Sequence, residues 1–372
     1  MSARILIISP NVEFSTYLEQ ALEEASASSV LQSLDSYPRA EEIREWMALN
    51  PPAAVIVCCS EPNGALSTIR RFRRASEGLT LIAAHNAPNA RIAQEAKIAG
   101  ADGFFAPPID LEKFRSMVFG GPQARSSDQE PARVLSFVPG RGGDGASTLA
   151  LHVAHVLSEG EVGLGAAPTL LVDFDFHAGA LAFRLKLNHG PSVLDALRLG
   201  TKIETGWRGL PMRWKGMDVL VAPDAEPNPP ADLFSAIPDF LEFVRDRYTY
   251  VVVDLPPALY ASSRDLLRLS DHVFIVHTPE VVSRAHAERR ANEVLNLGVQ
   301  SDHVGSILNR ADSKTPRTVD AVFTGRGLTQ YGSVRNDYAA LQDAERGGRL
   351  AAEDSRLGAD IKKLAEQIRR DL

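Results

Sequence analysis

The chain has little cysteine: two residues in 372, the adjacent Cys58 and Cys59. Neighbouring thiols in one apolar run cannot build a disulfide framework, so a small disulfide-stapled scaffold is excluded and both residues read as core fillers. Long apolar stretches are missing as well. None approaches the roughly 18 residues of a membrane-spanning helix, and the amino terminus lacks the basic, apolar and small-residue segments of a signal peptide, so a cytoplasmic location is expected. Nor is there a surplus of positive charge. With 40 basic against 47 acidic residues, the net charge of -7 provides no global basic field to gather nucleic acid, and no nucleic-acid partner is favoured.

What is present is an ordinary globular composition. At 44% hydrophobic and 23% charged, the sequence is neither disordered nor coiled-coil in type. Its 372 residues exceed the roughly 100 to 200 of a single core, which predicts two domains. The stretch from Gly120 to Pro131 has no apolar periodicity and is rich in Gly, Pro, Ser and Gln, as a linker would be. The expected division is therefore 1–120, a linker at 121–131, and 132–372.

Apolar runs at Arg4–Ile8, Ala53–Cys59 and Thr80–Ala84 alternate with helical patterns such as Ser15–Ala25 and Ala90–Ala99. Beyond the linker, further runs occur at Val134–Val138, Thr169–Val172, Asp218–Val221, Tyr250–Val253, His272–His277 and Val304–Leu308. This rhythm predicts an α/β protein of two doubly wound domains, each an open parallel sheet with helices on both faces.

The first half ends in Ala99-Gly100-Ala101-Asp102-Gly103-Phe104-Phe105-Ala106-Pro107-Pro108. Its order resembles a response-regulator receiver domain, of flavodoxin-like fold, over residues 1–120. That resemblance implies metal-holding acids after the first strand, an aspartate nucleophile after the third, a hydroxyl after the fourth and a lysine after the fifth. Those places hold Ser9-Pro10-Asn11, Cys58-Cys59, Ala84-His85 and Pro107. A hard metal finds no carboxylate cluster there, and cysteine cannot form the acyl phosphate. The expectation is a module for docking or dimerisation rather than phosphorelay.

The second half opens on a strand, Val134–Val138, then Pro139–Gly145, then a helical stretch from Ser147. Gly140, Gly142, Gly143 and Gly145 let backbone amides approach an anion, and the following helix offers unpaired N–H groups and the positive end of its dipole. Ser147 stands where such loops ligate magnesium, with Thr148 after it. A tight strand-to-helix turn without a ligand is the bland alternative.

The run Arg141-Gly142-Gly143-Asp144-Gly145-Ala146-Ser147-Thr148 resembles the deviant Walker motif of the ParA/MinD ATPases, Lys-Gly-Gly-x-Gly-Lys-Ser/Thr-Thr. Arg141 replaces the first lysine and Ala146 the second, while Asp144 adds a negative charge. Arginine can still pair with phosphate across a dimer interface; alanine offers only its amide. A hydrogen bond to a charged group contributes about 1.5 to 3 kcal/mol, so the missing ammonium costs roughly one to two orders of magnitude in affinity. Cationic stabilisation of phosphoryl transfer can be worth on the order of a thousandfold in rate, so hydrolysis is the more endangered activity.

Downstream, Leu170-Leu171-Val172-Asp173-Phe174-Asp175 resembles the first switch, which implies a metal role for Asp173 and a water-orienting role for Asp175; a strand-end cap is the alternative for the latter. Tyr250 to Pro257 resembles the Walker B strand and second switch, with Asp254 acting on magnesium through water. In Val304 to Arg310, the resemblance implies adenine recognition by Asn309 beside Arg310, although a turn asparagine would read the same. Val334-Arg335-Asn336-Asp337-Tyr338 resembles the late loop beside the base. The implied ligands are ATP and Mg2+.

A receiver-like module ahead of such a degraded loop resembles the TadZ/CpaE group of Flp (Tad) pilus assembly proteins. That resemblance implies a homodimer, a polar or inner-membrane-face location, and the pilus secretion ATPase or other Tad components as partners. Finally, Ile361, Leu364, Ala365, Ile368 and Leu372 share one helical face, with Lys362, Lys363, Arg369 and Arg370 mostly off it. A membrane-surface helix has this pattern, and so does the favoured reading, a terminal helix packed on its own sheet.

Overall fold

The computed structural model describes residues 4–25, 30–49, 52, 54–76, 79–109, 130–160, 166–187, 190–207, 209–223, 229–312 and 328–372. The chain divides into two compact units, residues 1–123 with 213–215 and residues 124–212 with 216–372. Most of the expected linker, through Gln129, lies outside the described residues.

In the first unit, β1 (Arg4–Ile8), β2 (Val30–Leu34), β3 (Ala54–Cys58), β4 (Thr80–Ala84) and β5 (Gly103–Phe105) form one sheet in the order β2-β1-β3-β4-β5. All four pairings are parallel. Alternation along the strands divides the apolar residues between two faces: Leu6, Ile8, Val55 and Val57 join one cluster, and Ile5, Ile7, Ile56 and Cys58 the other. The helices α1 (Val12–Ala25), α2 (Ala40–Leu49), α3 (Pro62–Ala75) and α4 (Ala90–Ala99) make the crossovers. Local chemistry fixes α4: Asn89 accepts the Ile92 N–H at its start, and Gly100 closes it with φ 108°. The strand order is that of flavodoxin-like folds.

Among the described residues, the second sheet holds eight strands in the order β13-β12-β11-β6-β10-β7-β9-β8. They are β6 (Arg133–Pro139), β7 (Thr169–Asp173), β8 (Met212–Trp214), β9 (Met217–Leu220), β10 (Tyr250–Asp254), β11 (His272–His277), β12 (Val304–Ala311) and β13 (Thr329–Arg335). The strands from β13 through β9 pair in parallel. Among the described residues, the α-helices of five or more residues in the second unit are α5 (Ala146–Ser158), α6 (Leu181–Leu185), α7 (Val193–Leu199), α8 (Ile237–Arg245), α9 (Ala261–Leu269), α10 (Val281–Asn296), α11 (Tyr338–Arg346) and α12 (Arg356–Asp371). From β6 the chain first winds to one side, through β7 and β9, and later to the other, through β11, β12 and β13. That reversal opens a crevice at the carboxyl end of β6, where open α/β sheets bind ligands.

The carboxy-terminal helix α12 packs inward. Ile361, Leu364, Ala365 and Ile368 are buried against β13 and α5, and the Arg369 guanidinium donates to the Val156 carbonyl at 3.1 Å. The amphipathic stripe is thus used by the protein's own core. Among the described residues, no helix is long and apolar enough to cross a membrane.

Candidate nucleotide site

The glycine-rich run leaves β6 and enters α5 at the carboxyl edge of the sheet. Gly143 and Gly145 have φ of 92° and 94°, a left-handed backbone that side chains with a Cβ rarely adopt. Gly145 is required for a second reason: a Cβ there would stand 2.3 Å from Nδ2 of Asn309. That amide donates to the Asp144 carbonyl at 2.8 Å, while its Oδ1 accepts the Arg310 N–H at 2.9 Å. Arg310, itself at φ 55° beside an irregularity of β12, donates to the Gly143 carbonyl at 2.8 Å. Asn309 and Arg310 therefore hold the loop from the side of β12.

Asp144 turns inward. Its carboxylate, 1% exposed, accepts the Arg141 N–H at 2.9 Å and the Ser283 hydroxyl at 2.9 Å, and meets Arg141 Nε at 3.4 Å. The Arg141 guanidinium also pairs with Glu280. The loop's own cation is thus tied to two acids. Ala146 begins α5 with its side chain buried.

Opposite the loop, two carboxylates stand side by side. Asp173 ends β7 and Asp254 ends β10, and they are register partners across parallel strands. Both are buried, which pushes their pKa values up, and their proximity pushes Asp254 further in the same direction. Asp173 accepts the N–H groups of Asp175 and Leu181 at 3.1 and 3.2 Å. The Ser147 hydroxyl works against the upward push on Asp254, whose Oδ1 is buried without a protein partner. The described residues contain no cluster of three His, Cys, Asp or Glu able to hold a metal unaided. An unpartnered buried carboxylate oxygen beside a hydroxyl nonetheless fits magnesium, which takes hard oxygens and keeps many ligands as water and phosphate. Asp175 sits just outside, where its Oδ1 accepts the His177 and Ala178 N–H groups at 3.1 and 3.0 Å, holding the turn after β7. Asp173 and His177 also line a cavity of about 290 Å³ with Phe176, Ala182 and Ala222.

Linear motifs do not reveal the remaining members. Thr148 Oγ1 accepts a hydrogen bond at 2.7 Å from Arg184 of α6, whose same nitrogen reaches Glu345 of α11 at 2.8 Å. His152, one turn further along α5, bonds Thr148 O through Nδ1 at 2.7 Å and accepts the Ala351 N–H through Nε2 at 3.1 Å. That pattern requires the neutral ring, and burial lowers its pKa to about 4.

The corresponding strand ends of the first unit carry no such chemistry. Ser9, Cys58, Cys59 and Ala84 are buried, and the Tyr37 hydroxyl caps the Cys58 carbonyl at 2.7 Å. Burial pushes the Cys58 thiol up to about 11 and the Cys59 thiol up to about 12, so neither is a ready nucleophile at neutral pH.

No family model matches the chain. Over 250 residues, 61% of this chain and 94% of the relative, it is 25% identical to a ParA family protein of Chlamydia trachomatis serovar D. Its structure is similar to that of a ParA family ATPase from Chlorobium tepidum, with TM-score 0.52 and 24% identity over 63% of this chain and 98% of that one. It is likewise similar to the septum site-determining protein MinD of Pyrococcus horikoshii, solved with Mg-ADP, with TM-score 0.53 and 20% identity over 64% and 96% of the two chains. The carboxy-terminal unit has the ParA/MinD-like phosphate-loop fold.

Proposed function

We propose that the carboxy-terminal unit binds ATP with magnesium and that the protein works as a nucleotide-stabilised dimer for localisation and scaffolding, with little hydrolysis. The observation that carries this reading is the pairing of a complete backbone cradle with Ala146 in the lysine position. Ser147, Asp173 and Asp254 would hold magnesium directly or through water, and the ion would neutralise charge on the phosphates. Asn309 and Arg310 fix the loop from its far side. A ligand that binds one conformation better than another shifts the population toward it, which is all a localisation switch requires. The dimer reading draws support from exposed apolar residues next to site residues: Phe183 beside Arg184 is 87% exposed, and Val281 beside Glu280 is 79% exposed.

The first unit, with its buried thiols where an aspartate would be needed, fits a receiver-shaped docking module without phosphorelay. Such a module ahead of a degraded phosphate loop is the organisation of the TadZ/CpaE group of Flp (Tad) pilus assembly proteins. The finer proposal is accordingly recruitment of a pilus secretion ATPase or other Tad component to a pole or the inner face of the inner membrane. Calorimetry with ATP and magnesium, with size-exclusion of the same samples, tests the switch; the absence of both binding and a change in oligomer would sink it. The retained carboxylates favour one rival, an active ParA/MinD-type ATPase in positioning or partitioning. Multiple turnovers abolished by Asp175→Ala would select that rival.

A further inference from the structure

A phosphate loop normally presents a cation to a ligand that is itself strongly anionic. Here the residue in the lysine position is alanine, and Arg141 is held by Asp144 and Glu280. Another positive group reaches the same place from a different element. Arg184 projects from α6, which Lys186 ends in a left-handed conformation, and its Nη1 sits 2.7 Å from Thr148 Oγ1 in the first turn of α5. That turn carries the helix N-terminus aimed at the anion. The guanidinium is also close enough to the carboxylate pair to favour the charged forms of both Asp173 and Asp254. It is therefore bonded to the loop helix and its charge is felt on the metal side of the site. Its other partner is Glu345, at 2.8 Å, and the pair is partly exposed at 28% and 39%. A carboxylate oxygen there occupies the kind of position a phosphate oxygen would take, because guanidinium recognises both with the same geometry.

We infer that Arg184 supplies in cis the positive charge missing at Ala146, exchanging Glu345 for a phosphate oxygen when nucleotide binds. This rests on the ATP-binding reading above and deepens it. It also makes Glu345 a competitor of the phosphate, so binding breaks the tie between α11 and α6.

The test is calorimetry of the full chain with MgATP, MgADP and AMP. Arg184→Ala is expected to weaken MgATP by about ten- to a hundredfold, with the loss shrinking from ATP to AMP. Glu345→Gln is expected to tighten MgATP, whereas a merely structural bridge would make both substitutions weaken binding alike. Ala146→Lys is expected to restore binding to the Arg184→Ala chain. Arg184→Lys, which keeps the charge and loses the fork, should fall between wild type and alanine, and it carries the test if the alanine chain does not fold. Wild-type affinity in Arg184→Ala, or weakening by Glu345→Gln, overturns the assignment while leaving ATP binding intact. Absence of MgATP binding by the wild-type chain removes the nucleotide reading itself, and the role of Arg184 with it.

Discussion

Gly145 and Asn309 meet so closely that their energies cannot be independent. Gly145→Ala forces a left-handed alanine at φ 94°, costing about 1 to 2 kcal/mol. The new Cβ, 2.3 Å from Asn309 Nδ2, must also displace that side chain. Asn309 then loses its bonds to the Asp144 carbonyl and the Arg310 N–H, a further loss of about 2 kcal/mol at about 1 kcal/mol each. The single substitution should therefore cost about 3 to 4 kcal/mol, and Asn309→Ala alone about 2 kcal/mol. In the double variant there is no amide left to displace, so its cost should equal that of Gly145→Ala. The cycle closes with a coupling of about 2 kcal/mol. Urea denaturation can measure this in a Trp46→Phe background, leaving the buried Trp207 and Trp214 as fluorescent reporters. Additive costs, about 5 to 6 kcal/mol in the double variant, would refute the contact and with it the claim that β12 braces the loop.

Other expectations follow from single groups. Because the folded pKa of His152 lies near 4 against 6.5 for the free side chain, its contribution is complete above pH 6.5 and is lost as pH falls toward 4. The slope of unfolding free energy against pH should show about 3 kcal/mol over that window and flatten in His152→Ala. Asp254→Asn removes a buried charge beside Asp173, so it should raise the melting temperature of the nucleotide-free chain while weakening magnesium-dependent ATP binding; a lowered melting temperature would contradict the electrostatic account. Leu364→Ala should destabilise the protein by about 2 to 4 kcal/mol and leave its partition onto anionic vesicles unchanged, since that face is already covered. Cys58 and Cys59 should resist a thiol reagent at pH 8 in the native chain and react together on unfolding.

The apolar runs located much of the second sheet and three strands of the first, with Arg4–Ile8, Thr80–Ala84 and His272–His277 found at their expected limits. The four edge strands carried no such signal. Val30–Leu34 is half exposed, Thr329–Arg335 is polar around Gly332, and Gly103–Phe105 and Met212–Trp214 are three residues each, so none forms an apolar run. Val334 and Arg335, expected in the late loop, end the strand Thr329–Arg335. The site divides in the same way. Glycines, Ser147, Asp173 and Asp254 stand in contiguous motifs, because strand ends and the loop between them set their geometry. Arg184 is 36 residues from Thr148 and 161 from Glu345, while Ser283 is 139 from Asp144. Such pairings come from tertiary packing and have no spacing to read.

Asp173 and Asp254 are neighbours because their strands are, so the gap between them follows the interstrand spacing of about 4.8 Å. The phosphate half of the site belongs instead to a loop, braced by side chains from β12 and α10. One half is architecture and the other is furniture. Residues of the loop other than Ser147 can be exchanged while both carboxylates stay on their strands. A chain could thus lose its lysine and keep its metal side intact, and a designer could return that lysine with a single codon.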